Sequence, residues 1–149
     1  MTKIISSFIT IFLISNAIAQ NVAPVLQATG NQVYCPQTSL PIVTNMSITD
    51  TDDVGIAAMY IQISSGYVFG QDVLTLTGIH PTITSSWNAT EGKLTLSGIS
   101  GDPTYLQFKA AIESVVFTNS AINPSGQRIF SITVGQANYL ESTGHYYQY

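Results

Sequence analysis

Three carboxylates stand within four residues at Asp50-Thr51-Asp52-Asp53, directly after the strand-like Met46-Ser47-Ile48. Calcium selects hard oxygen donors at this density, because it takes six to eight oxygens at about 2.3–2.6 Å. A D-x-D-D turn presents side-chain and backbone oxygens together. It is not an EF-hand loop, since the twelfth residue counted from Asp50 is Ile61 rather than a bidentate Glu. The alternative reading is a solvated turn whose Asp side chains bond to their own backbone. Asp72, in Gly70-Gln71-Asp72, is the natural candidate to complete a calcium shell from a neighbouring loop. The candidate metal ligands are therefore Asp50, Asp52, Asp53 and Asp72.

Catalytic chemistry finds little to work with. His80 and His145 are the two available imidazoles, and His80 directly precedes Pro81. There is no Gly-x-Ser-x-Gly elbow, no Gly-rich phosphate loop and no clustered His/Cys set. Glu91, Glu113 and Glu141 show no pattern that would pair two of them across a sugar. The expectation is a chain that is not an enzyme. Trp87 could stack on a sugar ring if exposed, but its place at the end of Ile83-Thr84-Ser85-Ser86-Trp87 favours the core. Cys35 is the single cysteine, which excludes an internal disulfide. It reads as a small buried hydrophobe, with a bridge to an outside partner as the alternative. Asn45-Met46-Ser47 and Asn88-Ala89-Thr90 match the glycosylation sequon, which matters only in a host with that machinery.

The elements that must position these groups read mostly as strands. Val73–Thr77, Lys93–Ser97 and Arg128–Val134 alternate apolar with hydroxylic or charged residues, and Met59–Ser64 does so less regularly. Ser65-Gly66, Glu91-Gly92, Ser97-Gly98 and Asn123-Pro124-Ser125-Gly126 supply turns between them. Short strands punctuated this way predict an all-β sandwich. One stretch departs from period two. Tyr105, Phe108, Ala111 and Ile112 recur at helical spacing behind Asp102-Pro103, which predicts a short helix near 105–112 across one end of the sandwich, with Asp102-Pro103 as its cap and first turn. Val115–Thr118 then returns to strand.

The first residues read as an export signal: Lys3, an apolar run from Ile4 to Ile14, then Ala17-Ile18-Ala19 before a cut at Gln20. That run is short for a bilayer span of about 20 residues. Without it, Lys93, Lys109 and Arg128 face eight carboxylates. Such a surface repels nucleic acid and anionic lipid, so neither is an expected partner, and no membrane insertion is expected once the signal is removed. The expected location is secreted or cell-surface. The closing Gly144-His145-Tyr146-Tyr147-Gln148-Tyr149 is aromatic and strand-like, as if the chain continued into a further domain.

Taken in order, Ile48–Asp53, Ile61–Tyr67, Gly70–Leu74, Trp87–Gly98, Phe108–Asn119 and Pro124–Arg128 resemble the cadherin-like repeats of large bacterial surface proteins. Those repeats are related in pattern to the repeats of chondroitin sulfate proteoglycan-type ectodomains. The resemblance runs from about Pro24 to Val134. More narrowly, the chain is similar to the N-terminal module of secreted Bacteroidetes proteins in which a His-Tyr-Tyr stretch leads into a C-type-lectin-like domain. This implies an Ig/cadherin-like β-sandwich with calcium at Asp50, Asp52 and Asp72, although the further acidic motifs of tandem cadherins are missing. With the export signal read as a signal peptide at 1–19 and a polar lead-in at 20–23, the resemblance implies the sandwich at 24–137 and a junction at 138–149. The implied role is a non-catalytic adhesion or spacer module whose partner is a downstream, lectin-like domain or a surface glycan or protein. A carbohydrate-binding module is the alternative.

Overall fold

A computed structural model of the chain describes residues 21–136 and 139–148, and side chains through residue 135. The expected signal peptide, residues 1–19, lies outside the described residues. In chain order the elements are β1 (Val25–Thr29), β2 (Leu40–Pro41), β3 (Asn45–Thr49), β4 (Ala58–Ser65), β5 (Asp72–Leu76), β6 (Ile83–Asn88), β7 (Lys93–Gly98), α1 (Tyr105–Glu113), β8 (Val115–Asn119), β9 (Ile129–Gln136) and β10 (Tyr139–Gln148). The fold is an all-β sandwich with one short helix. One layer is a five-stranded sheet ordered β10-β9-β4-β7-β6. Opposite it stand the three-stranded sheet β2-β8-β5, the β1-β3 pair and α1.

Period-two patterning places the core. In β4, Met59, Ile61 and Ile63 are buried, and β7 adds Leu94 and Leu96 while β9 adds Phe130, Ile132 and Val134. Their registers align: Ile61 sits opposite Leu94 on one side and Ile132 on the other. Leu26, Met46, Leu74, Val115 and Phe117 close on them from the second layer. Burying each such side chain contributes about 1.5–3 kcal/mol before conformational entropy is subtracted.

The helix buries Tyr105, Phe108, Ala111 and Ile112, the four positions its spacing picks out. Its N-cap differs from the expectation. Thr104, not Asp102, caps it: the Thr104 hydroxyl accepts the Gln107 N–H, and the Gln107 side chain accepts the Thr104 N–H at 2.8 Å. This reciprocal pair satisfies two of the helix's free donors at once, whereas Asp102 lies two residues outside. Pro103 is also outside the helix, and its carbonyl takes the Ile56 N–H instead. At the other end Glu113 accepts from Lys109 and from the Met46 N–H, which ties α1 to β3.

The backbone of 139–148, within the segment read as a junction, runs as β10 antiparallel to β9 in the same sheet. β10 starts beside Gln136, at the end of β4 that carries Ala58. It finishes beside Ile129, at the end of β4 that carries Ser65. β1 begins at the Ala58 end, with Val25 paired to Thr49 just before the acidic turn.

Candidate functional site

The acidic turn is built as a bracket against the helix. Asp50 follows the last residue of β3, and its Oδ1 accepts the N–H groups of Asp52 and Asp53 at 3.2 and 3.4 Å. Its Oδ2 accepts the Tyr105 hydroxyl at 2.7 Å. Burial pushes the Asp50 carboxyl up, but the bonds from Tyr105, Asp52 and Asp53 outweigh it and hold the group at about 2, below the usual 3.8. The Tyr105 hydroxyl moves the other way. Burial raises it first, and the bond to Asp50 with the negative charge of Asp50, Asp53 and Asp52 raises it further. Two backbone bonds fix the loop: Tyr105 N–H to the Val54 carbonyl and Ile56 N–H to the Pro103 carbonyl. Between them Gly55 bridges Thr104, and a Cβ at Gly55 would lie 2.4 Å from the Pro103 carbonyl oxygen. Gly55 is the sixth residue from Asp50, where an EF-hand loop also has a glycine, but here it allows this close approach.

Asp50, Asp52 and Asp53 each place one carboxylate oxygen within 4.8 Å of the others. Oxygens bound to one calcium ion at about 2.3–2.6 Å lie no more than roughly 5 Å apart, a spacing these three oxygens share. Asp52 and Asp53 are exposed, and Asp52 also accepts the Val22 N–H at 2.9 Å.

Asp72 does not join that trio. It opens β5, is 1% exposed and forms a two-point ion pair with Arg128, with Nε 2.7 Å from Oδ2 and Nη2 3.3 Å from Oδ1. Asn119 and the Val68 N–H complete its shell. Arg128 in turn bonds the Ser125 carbonyl at 2.8 Å. One carboxylate thus pins the start of β5, the end of β8 and the start of β9. The expectation that Asp72 completes a calcium shell with Asp50 is set aside by this geometry, because an arginine already neutralises it. Charge and loop position alone pointed to a ligand, while the partner lies 56 residues away. Arg128 is the partner that the residue pattern does not reveal, and its place after the Pro124-Ser125-Gly126 turn is the one signal available.

The remaining candidates are spread out. Trp87, expected in the core, is half-buried at its margin and meets Tyr67 edge-on at 6.3 Å. Its strand is an edge of the five-stranded sheet, with β7 as its strand neighbour there. Cys35, expected to be buried, is exposed. Its carbonyl accepts both the N–H and the hydroxyl of Thr38, closing a turn that holds the residue at the surface. His80 bonds the Thr77 carbonyl through Nε2, Glu91 pairs with Lys93, and Glu113 pairs with Lys109. The side chains of Glu141 and His145 lie outside those described. Among the described residues, no buried side-chain nitrogen or oxygen lacks a hydrogen-bond partner, and no helix is long and apolar enough to cross a membrane.

Compared with models of known families, with curated proteins and with solved structures, the chain matches none.

Proposed function

We infer that the chain is a non-catalytic extracellular spacer or adhesion module, cadherin-like in plan, of a secreted or cell-surface protein. The carrying observation is the path of the chain through the sandwich. β1 enters at the acidic-turn end, and β10 runs the length of the sheet to finish at the opposite end. Domains attached at those two ends would be held apart by roughly the length of β4, about 26 Å for eight residues. In this reading a downstream domain, lectin-like or otherwise, supplies ligand specificity. Calcium at Asp50, Asp52 and Asp53 would neutralise the turn and stiffen the entry end.

Single-molecule extension of the mature protein between residues 22 and 148 tests the spacer role. One cooperative rupture is expected, and gradual low-force extension would overturn it. Calorimetric titration with calcium, alongside thermal melting, tests the ion: saturable heats and a higher melting temperature are expected, both lost in Asp52→Asn. A carbohydrate-binding reading rests on the half-buried Trp87 beside Tyr67. Glycan-array binding abolished by Trp87→Ala would favour it over the spacer.

A further inference from the structure

At the end of the sandwich opposite the acidic turn, a cavity lies beside the packed rings of Tyr34, Phe117 and Phe130. Its volume is about 260 Å³, and its lining includes Phe117 of β8 and Phe130 of β9 together with Tyr34, Leu40, Val33 and the Pro124–Gln127 turn. We propose that this cavity is a binding site for a small neutral aromatic compound carrying one hydrogen-bond donor, of the phenol or indole class.

Size is the first argument. A dry cavity of roughly 150 Å³ holds benzene, so this one has room for a larger ring system or a ring with a polar substituent. Shape is the second. Tyr34 meets Phe117 edge-on at 5.1 Å and 72°, and Phe117 meets Phe130 edge-on at 5.5 Å and 76°. A flat guest extends this row in the geometry that aromatic quadrupoles favour. Charge is the third. Among the described residues Arg128 is the one charged residue in the lining, and its bidentate bond to Asp72 cancels its charge. An anion therefore gains no net attraction here. The other polar residues of the described lining are neutral and include Gln32, Ser125 and Gln127, whose side-chain oxygens suit an O–H or N–H; the Ser125 and Gly126 carbonyls belong to the same turn.

The walls are already fixed. Arg128 donates to both of those carbonyls, at 2.8 and 3.4 Å, and so shapes the turn. The Tyr34 hydroxyl accepts the Asn119 N–H at 3.0 Å and donates to the Thr38 carbonyl at 3.0 Å, which holds the β1–β2 loop against β8. A site whose lining is set before the ligand arrives loses little affinity to ordering.

The test is a two-dimensional amide NMR titration of the mature protein with phenol, indole and methyl glucoside. Saturable shifts confined to Tyr34, Leu40, Phe117 and Gly126 are expected with phenol or indole, with Kd on the order of 1 mM for such small probes. Val33→Trp, at a mouth residue that is 87% exposed, and Tyr34→Leu should each weaken binding at least about tenfold. Val33→Trp should also keep its melting temperature, so a failure to fold cannot imitate the loss. Unsaturable shifts, shifts elsewhere, a response to the sugar alone, or affinity unchanged in both variants would overturn the proposal.

Discussion

At one end of the sandwich Asp50 accepts bonds from its own turn and from Tyr105, beside two exposed carboxylates; at the other Asp72 is sealed against Arg128 and Asn119. The two groups are chemically the same, but they are stabilised by different means. Asp50 keeps its charge because local donors and partial access to water support it. Asp72 is buried with a cation, Arg128, and with the Asn119 amide and the Val68 N–H as its further donors. The open end therefore contributes a stability that depends on pH. The closed end is structural and tolerates little change.

The sharpest way to break this comparison is to remove the cation. Arg128→Met leaves Asp72 buried without its counter-charge and is expected to cost about 3–5 kcal/mol in urea unfolding. Asp72→Asn with Arg128→Met should cost clearly less than the two single changes added together, because the neutral amide no longer needs a cation. Additive costs would mean that the pair is not coupled.

Glycines at the two ends extend the contrast. Gly66 has φ +73, and a Cβ there would fall 1.9 Å from the Gln127 carbonyl oxygen, against the backbone that presents Arg128. Gly101, in the loop before α1, has φ +74 with no atom within 4 Å of such a Cβ. Left-handed backbone alone costs alanine about 1 kcal/mol, so Gly101→Ala should lose about that. Gly66→Ala adds a clash with main chain that cannot rotate away, and about 3 kcal/mol is expected. Equal losses in denaturant melts would show that the closed end is no tighter than the open one.

These two ends were also unequally legible in the sequence. The acidic turn could be read because its groups are neighbours, and helical spacing located α1 and its four buried residues. The alternating strands gave the sandwich for the same reason, since period two and period 3.6 are local properties. The Asp72–Arg128 pair could not be read, because sheet pairing brings β5 and β9 together only after folding. The exposure of Cys35 escaped for a related reason. Residue type favours burial, but a turn closed by Thr38 decides where that residue sits. The cavity depends on how the segment 32–34 and the Pro124–Gln127 turn come together beside Phe117 and Phe130, to which no residue pattern corresponds.

Tyr105→Phe sharpens the open end. It removes one partly exposed bond to a carboxylate and should cost about 1 kcal/mol at neutral pH. Its pH signature is more telling. Because folding lowers the Asp50 pKa from 3.8 to about 2, its contribution is complete above pH 4 and fades as pH falls towards 2. Because folding raises the Tyr105 hydroxyl, that group's contribution is complete below pH 10 and fades as pH rises further. The variant should flatten both limbs of a plot of melting temperature against pH. Unchanged limbs would place the stabilisation of Asp50 in the turn alone.

The smallest effect belongs to Asp53. Its side chain is exposed and adds a third negative charge within 4.8 Å of Asp50 and Asp52. Its backbone N–H, not its carboxylate, makes the bond to Asp50. Without calcium, Asp53→Asn should leave that bond intact and relieve repulsion, shifting stability by no more than about 0.5 kcal/mol, in the favourable direction. With calcium added, the wild type should overtake the variant in melting temperature if the trio holds the ion. A loss of 1 kcal/mol or more without calcium would give the carboxylate a structural role like that of Asp72, and the contrast between the two ends would fail.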